Sequence, residues 1–143
     1  MNPAAATAPI TPIDVQTFSE PGDRKRLTGV ALKAFRRLVK LWSLTNQESA
    51  QLLGVSVSTW ERMKRDDWTG ELSQDQLTRV SALVGIYKGL SLLFADDMSV
   101  RWLRLKNSSP LFHKTAPIEA MIQHGIPVML EVRRYVDAMR GGL

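Results

Sequence analysis

Two helix-start signals crowd into one short stretch, Thr45 to Arg65 (TNQESAQLLGVSVSTWERMKR), and no other feature limits the architecture of this chain as tightly. Thr45 with Glu48 three residues later is a capping-box pattern, in which hydroxyl and carboxylate each satisfy an amide at the start of a helix. That helix runs through Leu53, and Gly54 can end it by adopting the left-handed conformation. Ser56 caps a second helix from Val57 to about Arg65, after a turn of roughly three residues. The spacing is that of a helix-turn-helix, with Ala50 small where the helices cross and Val55, Trp60 and Met63 able to pack inward.

Ser56, Val57, Ser58, Thr59, Glu61, Arg62, Lys64 and Arg65 are left facing outward on the second helix. Short hydroxyls at the front and bases toward the end suit a major groove. Ser58 and Thr59 can donate to or accept from base edges, Val57 can touch a thymine methyl, and Arg62 can reach guanine. Lys64 and Arg65 are better placed for phosphates, as are Arg36, Arg37 and Lys40 on the preceding helix. Glu61 lies on the same face, where an acid either accepts from cytosine or repels phosphate. A merely solvated basic face is an equally good reading of the individual cations.

The charge distribution points the same way. The 143 residues carry a formal charge of +5, yet residues 24–65 hold ten basic side chains against Glu48 and Glu61, a local charge of +8. A polyanion meets that block first. With 44% apolar residues the chain can build one compact domain or two small ones sharing a core, which excludes a large multidomain enzyme. It has no Cys, so disulfides, thiolate metal sites and Cys nucleophiles are excluded. His113 and His124 are the only imidazoles and are too far apart in sequence for a paired metal motif, so neither a metal nor any other cofactor is expected. The start of the chain lacks a basic, apolar leader, and no stretch is long enough to span a membrane, so a cytoplasmic protein is expected.

Four of the seven prolines and a Pro-Gly pair fall within residues 1–23, predicting an extended arm over 1–26. From Leu27 the positions Leu27, Val30, Ala31, Ala34, Phe35, Leu38, Leu41 and Trp42 follow helical spacing, predicting a basic amphipathic helix. Ser73 and Gln76 repeat the capping pattern ahead of a long apolar helix, Gln74 to about Phe94. Gly85 and Gly89 within it permit close packing, either between two copies or within the fold. Further helices are expected over Met98 to Leu105, from Pro117 to before Gly125, and from Pro127 to about Arg140, leaving Gly141 to Leu143 as a free tail. Trp60 and Trp102 read as core anchors, and Trp42 and Trp68 as cover for a domain junction. No alternating strand pattern is evident, so the fold class is all-α.

The helix-turn-helix taken together with the C-terminal stretch from Trp102, WLRLKNSSPLFHKTAPIEAMIQHGIPVMLEVRRYVDAMRGG, resembles antitoxins of the Xre/MbcA/ParS type, from RES-Xre type II toxin-antitoxin systems. The resemblance covers roughly residues 27 to 143, and its C-terminal marks fall on Trp102-Leu103, Asn107, Pro117-Ile118, Gly125 and Gly141. The sequence departs from the pattern at Leu111-Phe112-His113-Lys114, where relatives tend to carry glycines. The resemblance implies an N-terminal Xre-like helix-turn-helix domain, taken as residues 27–94, and a small helical toxin-binding domain with its tail, residues 95–143. It further implies a RES-domain toxin partner that degrades NAD, neutralised by blockage of its active site, and repression of the chain's own operon through operator DNA. The antitoxin itself would be no enzyme.

For toxin binding the candidates are Trp102, Asn107, Arg133, Arg134, Arg140 and the tail Gly141, Gly142 and Leu143. The glycines would let the chain enter a narrow cleft, and the terminal carboxylate could take a phosphate-binding spot; a helix cap with a frayed end is the plainer reading. Motifs of this kind gain specificity as dimers that read a palindrome, so a homodimer is expected. A stand-alone dimeric regulator without a toxin is the alternative. A small enzyme is disfavoured, because there is neither a Gly-rich phosphate loop nor a nucleophile with its base.

Overall fold

The structure is a computed structural model that describes residues 21–112 and 114–141. These residues form seven α-helices and one 3-10 turn, with no strand among them. In chain order they are α1 (Pro21–Leu41), α2 (Asn46–Leu53), α3 (Val57–Met63), α4 (Gln74–Leu93), α5 (Asp96–Arg104), the 3-10 turn Pro110–Phe112, α6 (Pro117–His124) and α7 (Ile126–Gly141). The protein is therefore all-α, as the sequence pattern requires. No helix among the described residues is long and apolar enough to cross a membrane.

The extended arm expected over residues 1–26 is corrected at its end: Pro21 to Arg26 belong to α1, and residues 1–20 lie outside the described residues. A proline preset for the first helical turn and Asp23 beside the positive helix end favour helix over the extension that a Pro-Gly pair suggests. Thr28 then fastens the segment, donating to the Arg24 carbonyl at 2.7 Å and accepting from the Leu72 amide at 3.0 Å. The buried stripe of α1 is Thr28, Leu32, Phe35 and Leu38, continued by Trp42 just past its end. That phase turns Val30, expected inside, out to 68% exposure.

Both capping boxes form as read. Thr45 and Glu48 exchange bonds of 3.0 and 2.9 Å, and Ser73 and Gln76 bonds of 3.1 and 2.9 Å. Gly54 ends α2 at φ 81°, and Ser56 opens α3. α3 stops at Met63, short of Arg65, and α5 begins at Asp96, ahead of Met98. Two acids in the first turn of α5 complement its dipole. The last helix absorbs Gly141, the first residue of the expected free tail; the rest of that tail, Gly142 and Leu143, lies outside the described residues.

α4 is the axis of the molecule, with α7 packed along one side and α1 along another, while α2 touches both α4 and α6. Gly85 and Gly89 serve this packing: a Cβ at either would run into Arg133 or Val136 of α7. The buried side chains form one continuous cluster from Phe35, Trp42 and Trp60 to Leu103, Phe112 and Val132. Trp42, expected as cover for a domain junction, is buried at 1% exposure. α2 and α3 are thus laid on a core to which both halves of the chain contribute.

Candidate functional site

α3 is held from behind by apolar contacts. Trp60 and Met63 are buried, and the Trp60 ring meets Phe35 of α1 edge to face at 5.3 Å. Its C-terminal end is clasped by Arg36, whose guanidinium donates to the Met63 carbonyl at 2.7 Å and the Arg65 carbonyl at 2.6 Å. Terminal helix carbonyls have no intrahelical partner and carry the negative end of the dipole, so a cation there stabilises the end. Arg36, read from sequence as a phosphate contact, is therefore engaged inside the fold, with Asp66 as a further neighbour at 3.6 Å.

With its back fixed, α3 turns Ser56, Val57, Ser58, Glu61, Arg62, Lys64 and Arg65 to solvent, and Thr59 is half-exposed. A chain of short polar contacts runs along this face. The Ser56 hydroxyl donates to Thr59 Oγ1 at 2.9 Å while its oxygen accepts from the Thr59 amide at 3.1 Å. Ser58 Oγ lies 3.2 Å from Ser56 Oγ, and Arg62 Nη2 reaches Thr59 Oγ1 at 3.4 Å. These contacts stay on the helix surface and orient groups that remain open to a partner.

The other cations on this side differ in availability. Lys64 Nζ pairs with Glu61 at 3.1 Å and also donates to Asn46 Oδ1 of α2, so Glu61 neutralises its neighbour on the helix. Arg65 pairs with Asp67 at 3.3 Å, both well exposed. Arg37 and Lys40 are exposed on α1. Beyond the end of α3, Arg62, Arg65, Asp67, Trp68 and Thr69 line an open hollow of about 240 Å³. Sequence reasoning assigned the two arginines to DNA and Trp68 to a domain junction, and did not bring Asp67 and Thr69 beside them, because the connector that carries these residues has no pattern of its own.

The C-terminal candidates do not gather into one patch. Trp102 is half-buried, stacked on Tyr135 at 6.2 Å and edge-on to Phe112 at 5.7 Å. Tyr135 and Phe112, also in mutual contact, complete an aromatic cluster that the sequence reading did not identify. Asn107 shapes its own loop: its Oδ1 accepts from the Ser109 amide at 2.9 Å, and its amide donates to the Thr115 carbonyl. Arg133 turns toward α4, lies over Gly85 and donates to the Ser81 carbonyl at 3.5 Å. Arg134 is exposed, and Arg140 pairs with Asp137 at 3.3 Å. Gly141 ends α7; Gly142, Leu143 and His113 lie outside the described residues. Among the described residues no group of three or more imidazole or carboxylate side chains is placed to hold a metal ion.

A charged pair at the start of α2 shifts both of its partners. Arg104 of α5 grips both carboxylate oxygens of Glu48, at 2.9 and 3.0 Å. These bonds hold the Glu48 carboxyl below the usual range and push the Arg104 guanidinium up.

Residues 21–85 match the antitoxin Xre-like helix-turn-helix domain, a span that runs from the start of α1 into α4 and contains the whole α2–α3 motif. The chain is also 30% identical to the uncharacterized protein y4oB of Sinorhizobium fredii (strain NBRC 101917 / NGR234), over 87% of this chain and 95% of that protein. The helical order and the domain match show that the chain belongs, through residues 21–85, to the proteins that carry an antitoxin Xre-like helix-turn-helix domain, a DNA-binding regulator type, with further helices after it.

Proposed function

We propose that this chain is the antitoxin of a type II toxin-antitoxin pair, with two working surfaces. In this reading α3 binds operator DNA and represses the chain's own operon. The C-terminal region, residues 95–143, binds a cognate RES-domain toxin and blocks its NAD-degrading active site. The observation that carries the DNA half is the outward face of α3, with hydroxyls at its front, Arg62 and Arg65 at its end, and its back fixed by Trp60 and Arg36. Val57, Ser58, Thr59 and Arg62 face base edges, while Arg65, Arg37 and Lys40 meet phosphates.

The toxin half is supported by the resemblance of residues 102–141 to the toxin-binding region of such antitoxins. Arg134, Arg140 and the segment Gly141 to Leu143 are the contacts. The chain acts without catalysis or cofactor, as a cytoplasmic homodimer that sets two copies of α3 about 34 Å apart on a palindrome. Co-expression with the neighbouring gene tests this. A neighbour that is toxic alone, harmless beside this chain and recovered with it in a tight complex is the expected result. Absence of both toxicity and complex overturns the antitoxin reading in favour of a stand-alone dimeric regulator. Full neutralisation after deletion of Gly141 to Leu143 contradicts the role of the tail.

A further inference from the structure

Helix α2 is only eight residues long, and a helix of that length is not stable by its own propensity. Its inner side is secured by Ser49, Ala50, Leu52 and Leu53, all buried. Its two ends are secured by arginines that come from elsewhere in the chain. At the C-terminal end Arg79 of α4 donates to the Leu52 carbonyl at 3.3 Å and lies against Gly54, where a Cβ would sit 3.0 Å from Arg79 Nε. At the N-terminal end Arg104 of α5 makes its two bonds to Glu48. The same guanidinium donates to the Ser43 carbonyl at 3.0 Å and the Trp42 carbonyl at 3.3 Å.

Arg104 therefore ties three things together with one rigid fork: the C-terminal half, the first turn of α2, and the α1–α2 corner, where Ser43 adopts φ 53°. The corner holds a non-glycine residue in a left-handed conformation, which persists only where its surroundings determine it. Arg104 is one of those surroundings. It lies beyond residue 85, outside the span that matches the helix-turn-helix domain family. From α2 the restraint passes to α3 through the three-residue turn and through Asn46, which accepts from Lys64 at 3.3 Å.

We propose that Arg104 is a positioning residue for DNA recognition: from the C-terminal half it fixes α2 against α1 and so sets the angle at which α3 presents its side chains to base edges. The inference rests on the DNA-reading role of α3 and adds to it. Base readout depends on geometry, whereas attraction to phosphate depends mainly on charge. Loosening α2 thus costs discrimination between sequences more than it costs binding to DNA in general. A ligand that shifts α5 is coupled to sequence-specific binding through the same residue, and the coupling runs in both directions.

The test uses the full chain and two fluorescent duplexes of equal length and composition, one from the region upstream of its own reading frame and one scrambled. The wild type prefers the upstream duplex. Arg104→Ala, shown folded by circular dichroism, binds that duplex about tenfold more weakly and the scrambled duplex almost as before. Arg104→Lys, which cannot fork between the carboxylate and the two carbonyls, falls between them. A folded Arg104→Ala chain that keeps the wild-type preference overturns the proposal. So does an equal loss on both duplexes, the signature of a purely structural role. Should Arg104→Ala not fold, Glu48→Gln decides: it keeps the capping box and removes the ion pair, so reduced preference supports the proposal and unchanged preference overturns it. A wild type with no preference at all overturns the DNA reading itself, a result distinct from the others.

Discussion

On α3, Arg62 stands in solvent beside Thr59, at the rim of the open hollow that Arg65, Asp67, Trp68 and Thr69 also line. On α7, Arg133 lies across Gly85 and donates to a carbonyl of α4, with Asp137 at 4.0 Å on its flank. The same residue type is thus an outward group at Arg62 and an internal fastener at Arg133. The difference follows from what each helix packs upon. α3 is short and rests on aromatic and thioether side chains, which leave its polar face unclaimed. α7 runs along α4 at two glycines, and the close approach brings Arg133 within reach of the Ser81 carbonyl of its neighbour.

The sharpest way to break this contrast is to remove fasteners and outward groups in turn and compare stabilities. Arg36→Ala leaves the end of α3 without its cation and is expected to cost about 2 kcal/mol in urea unfolding. A loss below about 0.5 kcal/mol would show that Arg36 is free after all. Gly89→Ala forces a methyl group against Val136 and is expected to cost about 1 to 2 kcal/mol, after the gain in helix propensity is allowed for. A neutral substitution there would mean that α4 and α7 can part without penalty.

A smaller effect separates the two halves by pH. The folded-state pKa of Glu48 lies below its ordinary 4.5, so its ion pair with Arg104 contributes fully above that pH and is lost as pH falls through the folded value. Arg104 stays protonated throughout. Because Arg104 is 35% exposed, solvent screening limits the contribution to about 1 kcal/mol. Glu48→Gln is therefore less stable than wild type at pH 7, and the gap closes as pH falls from 4.5 through the lowered folded-state pKa of Glu48. A gap that holds constant across this range would remove the ion pair from the joint between α5 and α2.

Much of this architecture was legible in the residues. Thr45, Ser56 and Ser73 mark helix starts because short hydroxyl side chains cap amides locally, and local chemistry needs no knowledge of the rest of the fold. Ala50, Trp60 and Met63 were readable as inward for the same reason: helical spacing sets the face. The partners of Arg36, Arg104 and Arg133 were not legible, since each reaches a backbone carbonyl far away in sequence, and carbonyls are the same at every position. The start of α1 was misread because Pro21 and Gly22 suit a turn as well as a first helical turn. Phe112 and Tyr135 were overlooked because they meet Trp102 only once α5, the 3-10 turn and α7 are folded together.

The two-surface reading is tested most directly with Arg62→Ala, measured in one preparation for stability, for binding to the upstream duplex and for neutralisation of the neighbouring gene product. The expected result is stability within about 0.5 kcal/mol of wild type, clearly weaker DNA binding and unchanged neutralisation. Equal loss of DNA binding and neutralisation in a folded chain would contradict the division of labour between α3 and the C-terminal half.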